Sequence, residues 1–131
     1  MVIDSSAVMA VLLNEPDAPF YAAAIEDDPA PKISVMSVLE ATLVIGARKR
    51  EAGLASLEGF LREGRIRVVG FDVEQLQHAQ KAWWEYGKGR HRAGLNLGDC
   101  CSYALAKASG EALLYKGNDF RLTISLALSR P

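Results

Sequence analysis

Histidine and cysteine are scarce in this sequence, and their scarcity narrows the chemistry first. Among 131 residues there are two His and two Cys. The cysteines, Cys100 and Cys101, are adjacent, and neighbouring cysteines rarely close a strain-free bridge. No further Cys or His group stands at zinc spacing. The pair is expected to be reduced, packed thiols in a cytoplasmic protein. Long apolar runs are missing too, and no stretch is long and charge-free enough to span a bilayer. The opening Met1-Val2-Ile3-Asp4-Ser5-Ser6 lacks the basic segment leading into an apolar one that marks a secretory signal. There is no excess of positive charge: 15 Lys and Arg against 16 Asp and Glu leave a net charge of −1. That balance disfavours a general, charge-driven nucleic-acid binder while leaving room for local basic patches. Neither of the glycine-rich phosphate loops, G-x-G-x-x-G or G-x-x-x-x-G-K-[ST], occurs, which disfavours a nucleotide-binding enzyme. Internal repeats, low-complexity tracts and linkers are absent as well.

What is present reads as one globular domain over residues 1–131. Hydrophobic residues make up 50% and charged residues 24% of the chain, an ordinary balance for one continuous core. Apolar and polar periodicity predicts strands at Met1–Asp4, Lys32–Val35, Arg65–Gly70 and Ala112–Tyr115, with a last edge strand at Ile124–Leu126. Helices are predicted from Ser5 or Ser6 to Leu13, Pro16 to Ile25, Ser37 to about Arg50, Leu54 to Arg62, Val73 to Tyr86 and Asp99 to Ser109. A polar, glycine-containing loop spans Lys88 to Asn96, and Gly117-Asn118-Asp119 is a turn leading into a short helical piece. Parallel strands need crossover connections, usually helices. The alternation therefore predicts an α/β domain: a central, mostly parallel sheet of four to five strands with helices on both faces.

Ligands of open parallel sheets bind outside the carboxyl ends of the strands, and acids gather there. Asp4 ends the first strand, Glu40 lies in the first turn after the second, Asp99 opens the helix before the fourth, and Asp119 follows that strand. Each has an ordinary structural account. Ser37-Val38-Leu39-Glu40 fits a capping box, Asn96 and Asp99 can cap the next helix in the same way, and Asn118-Asp119 is common turn chemistry. Together they are harder to explain, because four carboxylates on one edge repel each other and raise one another's pKa values. Helix ends can be capped by neutral side chains instead. A hard divalent cation, Mg2+ or Mn2+, resolves the conflict, since it prefers carboxylate oxygen and keeps several waters.

Four pieces of the chain resemble the VapC branch of the PIN-domain family. Val2-Ile3-Asp4-Ser5-Ser6-Ala7 is similar to its opening strand and D-[ST]-S motif, and Ser37 to Ala41 to the stretch supplying its second acid. Lys88-Gly89-Arg90-His91-Arg92-Ala93-Gly94-Leu95-Asn96-Leu97-Gly98-Asp99-Cys100 resembles the third motif and its approach loop. Leu113-Leu114-Tyr115-Lys116-Gly117-Asn118-Asp119-Phe120 resembles the fourth. The resemblance covers essentially the whole chain and rests chiefly on the last two pieces, in this order and spacing. It implies a PIN-like three-layer fold and an endoribonuclease toxin of a toxin–antitoxin pair, cleaving RNA with water activated by carboxylate-held Mg2+ or Mn2+. It also implies a VapB-type antitoxin lying over the acidic cleft, a homodimer, and operator DNA reached only through the antitoxin. Residue by residue it places Asp4, Glu40, Asp99 and Asp119 in the acidic metal site, with Ser6 orienting a carboxylate or a water and Asn96 as a polar neighbour. One departure stands out: the Thr-Asp-Ile run of many relatives is here Thr123-Ile124-Ser125, which reads as a shift of the C-terminal strand or, alternatively, as weaker holding of a second metal.

Three basic clusters could meet a substrate: Arg48-Lys49-Arg50, the spaced Arg62, Arg65 and Arg67, and the 88–92 loop. Such runs are usually solvated faces. Lys88, Arg90 and Arg92 are the first candidates for holding an RNA backbone, since phosphate contacts position a substrate; His91 reads as a surface histidine. Single-stranded or looped RNA is favoured, because its unstacked bases can be read. Val35 to Ala47 is apolar nearly all round, which suits a helix buried in the core or under a partner. Trp83 and Trp84 cannot both face one core, so at least one is expected to meet a loop or a subunit. Two other readings compete. A non-catalytic PIN-like binding protein would be marked by loss of a core acid, and all four are present. A receiver-like Mg2+-binding regulatory domain, which Lys116 superficially suits, needs an acceptor Asp at the end of a middle strand. The third strand instead ends Val68-Val69-Gly70-Phe71, with Asp72 reading as a helix cap.

Overall fold

A computed structural model describes residues 1–91 and 93–117, and the backbone of residues 127–129. The chain runs β1 (Val2–Ile3), α1 (Ser5–Leu12), α2 (Ala18–Asp27), β2 (Lys32–Ser34), α3 (Val35–Glu63), β3 (Arg67–Val69), α4 (Val73–Tyr86), α5 (Leu97–Ser109), β4 (Leu113–Tyr115) and β5 (Ala127–Ser129). The strands form a five-stranded sheet in the order β3-β2-β1-β4-β5, and every pairing is parallel. Val2 stands level with Lys32 on one side and Leu113 on the other, so β1 is the central strand and its carboxyl end opens at the middle of the sheet edge.

Side chains alternate across a strand, and the core divides accordingly. Val2 and Leu113 point to one face, where α4 and α5 supply Ala79, Ala82, Tyr86, Cys100, Ala104 and Leu105. Ile3 and Leu114 point to the other, under Ala7, Val8, Tyr21, Ile25, Ala41 and Leu57 of α1, α2 and α3. Both faces are covered, which gives the expected three-layer α/β fold. Among the described residues no helix is long and apolar enough to cross a membrane.

Several local expectations need revision. The helix expected from Ser37 begins two residues earlier, because Ser34 caps it by accepting from Met36 N–H at 3.1 Å. Ser37 is therefore inside α3, and the Ser37–Glu40 capping box does not form. The helices expected on either side of residue 50 are two halves of α3, broken where Arg50 adopts φ 52°, ψ −142°. The final strand lies at Ala127–Ser129; Ile124–Leu126, like Thr123, falls outside the described residues. Asp72 does cap α4, accepting from Gln75 N–H at 2.8 Å. Cys100 and Cys101 are free thiols and buried.

Candidate active site at the carboxyl edge

The first acid is placed by the shortness of β1. Two residues of strand end at Asp4, whose extended backbone makes it the N-cap of α1. Its Oδ2 accepts from Ser6 N–H at 3.0 Å and from Ser6 Oγ at 2.6 Å. A capping interaction alone would end there, yet Oδ1 also accepts from Ser102 Oγ on α5 at 2.5 Å. Ser102 is fully buried, as is Ser37, whose Oγ lies 2.9 Å from it. A hydroxyl has one proton, and Ser102 gives its own to Asp4, so Ser37 is the donor to Ser102. Ser6 is fixed likewise: it donates to Asp4 and accepts from Lys116 N–H at 2.9 Å. A relay of hydroxyls from α3, α5 and α1 thus holds one carboxylate that is only 3% exposed.

The other two described acids are gathered by α5. Asn96 and Asp99 make a reciprocal capping box, with Asp99 N–H on Asn96 Oδ1 at 2.9 Å and Asn96 N–H on Asp99 Oδ2 at 3.1 Å. Asp99 is nevertheless buried, and it lies one turn from Ser102 on the same helix face. Glu40 reaches this point from α3. Its carboxylate packs against Gly98, where a Cβ would fall 2.6 Å from Glu40 Cδ, and it accepts from Ser5 Oγ. The thiols register both charges: burial first, then Asp99 and Cys101, push Cys100 up to about 11, and burial followed by Glu40 raises Cys101. A helix N-terminus favours anions, so the head of α5 accommodates acids from two elements.

Asp4, Glu40 and Asp99 each meet α5, Asp4 at Ser102, Glu40 beside Gly98 and Asp99 within its first turn, and each is also tied to a hydroxyl or amide. Among the described residues no group of three or more His, Cys, Asp or Glu side chains is poised to share a metal ion. Asp119 and Arg92 lie outside the described residues. In kind, the site suits a hard cation: the acids offer oxygen alone, and Gly98 keeps open the space that Glu40 occupies.

Three residues of the site were not singled out by sequence reasoning as site residues: Ser102, Ser5 and Gly98. The spacing Asp99-x-x-Ser102 puts the serine on the aspartate's face, and that was the available signal. The partner of Ser102, 98 residues away in sequence, was not legible. Lys116, which superficially suited a receiver domain, is committed to Glu15 and to Asp17 at 2.8 Å. Hydrogen bonds to Asp17 and Glu15 raise its pKa. Lys88 and Arg90 are exposed in the loop, but Arg90 stacks on Trp83 and Trp84. His91 is local structure: its ring meets Tyr86 edge-on at 5.2 Å, and Nδ1 accepts from Ala93 N–H.

A family model described as the PIN domain matches residues 1–124. The chain belongs to the PIN-domain family. Its curated relatives place it in the VapC branch. It is 50% identical over 123 residues to Ribonuclease VapC of Mycolicibacterium smegmatis, covering 94% of this chain and 95% of that protein. It is 47% identical over 131 residues to Ribonuclease VapC30 of Mycobacterium tuberculosis, covering 100% of both. Among solved structures, the PIN fold matches that of Mycobacterium tuberculosis VapC20, described as a Sarcin-Ricin loop cleaving toxin. That match has a TM-score of 0.78 and 15% identity over 99% of this chain and 98% of that one. VapBC2 from Rickettsia felis, bound to a promoter DNA fragment, matches at 0.79 with 13% identity and the same coverage. At such identities these two likenesses speak for the PIN fold alone.

Proposed function

We propose that this PIN-domain protein is an endoribonuclease toxin that hydrolyses RNA phosphodiester bonds with the help of Mg2+ or Mn2+. The observation that carries the reading is that Asp4, Glu40 and Asp99 all meet the first two turns of α5, at Ser102, beside Gly98 and in the N-terminal capping box, in a chain whose full-length relatives are named ribonucleases. Asp4, Glu40 and Asp99, with Asp119, would hold the cation. When bound, such an ion supplies acidity to a water and charge neutralisation at a phosphate. The protein's own part is positional. Ser6 and Ser102 fix both oxygens of Asp4, Ser5 turns Glu40 towards α1, and Asn96 sets Asp99. The acids would act as ligands and water-positioners, not as nucleophiles; in this reading water attacks phosphorus and the P–O3′ bond breaks, leaving a 5′-phosphate and a 3′-hydroxyl.

The partners follow from the surface. Ser37, Ala41 and Ile45 of α3 face the core, while Val35, Leu39 and Leu43 are exposed on the opposite side. This stripe flanks Glu40 and suits a VapB-type antitoxin segment laid over the acids, with operator DNA reached only through that antitoxin. Complexes described as VapBC share the fold. Val73 and Leu76 of α4 and Leu97 are exposed as well, a face that suits a second copy of the chain.

The test is cleavage of labelled total RNA by antitoxin-free protein with Mg2+ or Mn2+, with EDTA, and by Asp99→Asn. Cleavage abolished in both controls is expected. Equal behaviour of wild type and variant, whether both cut or both are silent, would return the acids to a capping role.

A further inference from the structure

The end of α4 carries two exposed tryptophans that the core does not use. Trp83 is 43% and Trp84 65% exposed, and their ring centres lie 6.2 Å apart with the planes tilted by 56°. The Arg90 guanidinium sits over both rings, its Cζ 3.8 Å from the centre of Trp84 and 4.4 Å from that of Trp83. Gly87 is pressed against the last turn of α4, where a Cβ would lie 2.2 Å from the Trp83 carbonyl oxygen and 2.7 Å from Trp83 Cδ1. We propose that Trp84 and Arg90 form a nucleotide platform, with an unpaired RNA base stacking on the indole and its phosphate held by the guanidinium edge. The proposal rests on the ribonuclease reading and names a contact for its substrate.

Four observations carry it. The Arg90 guanidinium centre lies 3.8 Å from the centre of the Trp84 ring, and a guanidinium has five N–H donors, so one held by an indole can still offer some of them to an anion. Trp84 stays two-thirds exposed despite that stack, so a ring face remains for a second planar group. The segment 87–95 holds Lys88, Arg90, His91 and Arg92 and no acid, and Glu85 turns instead to the groove it lines with Lys81, Tyr103 and Lys107. A protein docking here would have to bring a carboxylate of its own to meet the guanidinium. A nucleotide supplies both an aromatic face and an anion, the combination used by single-strand binders.

The loop that carries Arg90 is joined at its base to the start of α5. Lys88 N–H donates to Leu95 C=O and Leu95 N–H to Tyr86 C=O, both at 2.9 Å. The loop is pinched at its base, and the end of α4 meets the residue preceding the Asn96 cap. Between them runs an apolar groove of about 380 Å³, lined by Trp83, Leu97, Cys101 and Met36 among others. Leu97 adjoins Gly98, against which Glu40 packs. Trp84, about 100° further round the helix, stands outside that groove.

The experiment measures binding of a fluorescein-labelled, mixed-sequence single-stranded RNA 12-mer by anisotropy, in EDTA to prevent cleavage, across a salt series. Wild type, Trp84→Ala, Trp84→Phe and Arg90→Ala are compared, each with sedimentation and circular dichroism. Trp84→Ala is expected to bind about tenfold more weakly, the order of one lost base stack, with the salt slope kept. Trp84→Phe should recover most of that loss. Arg90→Ala should lower the log–log salt slope by about 0.7, one single-strand phosphate contact. Unchanged affinity in Trp84→Ala, or a change confined to its sedimentation, would overturn the platform; the latter would make the face a protein interface. Wild-type protein that binds RNA through Trp84 yet never cleaves it would sink the nuclease reading and leave the platform standing.

Discussion

Gly98→Ala separates the fold from the site more sharply than removal of an acid. Gly98 is the second residue of α5, where the backbone does not need glycine. Alanine is the better helix former by up to about 1 kcal/mol in a helix interior, less in a first turn. The added methyl would fall 2.6 Å from Glu40 Cδ, inside contact distance, so something must move. The flexible carboxylate gives way before the backbone does, and Glu40 leaves both the head of α5 and Ser5 Oγ. Glu40 is only half-buried, so the lost hydrogen bond costs about 1 kcal/mol. The two effects nearly cancel, and Tm should stay within about 4 °C of wild type. If Glu40 serves the cation, affinity for Mn2+ and the rate of RNA cleavage should both fall about 10- to 100-fold. Calorimetry with Mn2+, thermal melts and a cleavage time course decide it, with Glu40→Gln as reference. Full activity with unchanged Mn2+ affinity would refute the role of Glu40. A loss of several kcal/mol would refute the claim that glycine is there for space.

Three further outcomes follow from buried groups. Ser102→Ala leaves Asp4 Oδ1 without its 2.5 Å donor and Ser37 without its acceptor. It should cost about 2–3 kcal/mol, a Tm drop of about 10 °C, with weaker Mn2+ binding; a silent substitution would mean the relay does not position Asp4. Cys100 holds its proton to about 11 against an ordinary 9.0. The unfolded chain therefore releases this proton first as pH rises, and stability should decline between those two values. Both thiols should resist a disulfide reagent in the native protein at pH 8 and react at once in denaturant; rapid native labelling would contradict their burial.

Alternating apolar strands and helices at crossover lengths settle a parallel α/β domain from sequence alone, because a parallel pair leaves few other connections. The caps at Asp72 and Asn96 were equally legible, since each depends on an N–H three residues away. The candidate acids were visible as residues at strand ends. What joins them was not. The start of α3 was misread because Ser34 and Ser37 are both competent caps, and only packing decides between them. In the fold Ser37 is buried opposite Ser102, and a hydroxyl placed there must find a partner. The contact of Glu40 with Gly98 spans 58 residues and that of Asp4 with Ser102 spans 98. Nothing in local periodicity encodes either distance. The sequence by itself determined which chemistry the sheet edge could hold, because residue type and strand register are local properties. The tertiary structure alone decided which groups orient the acids, because the close packing of α3 and α5 over the end of β1 brings distant side chains within hydrogen-bonding reach.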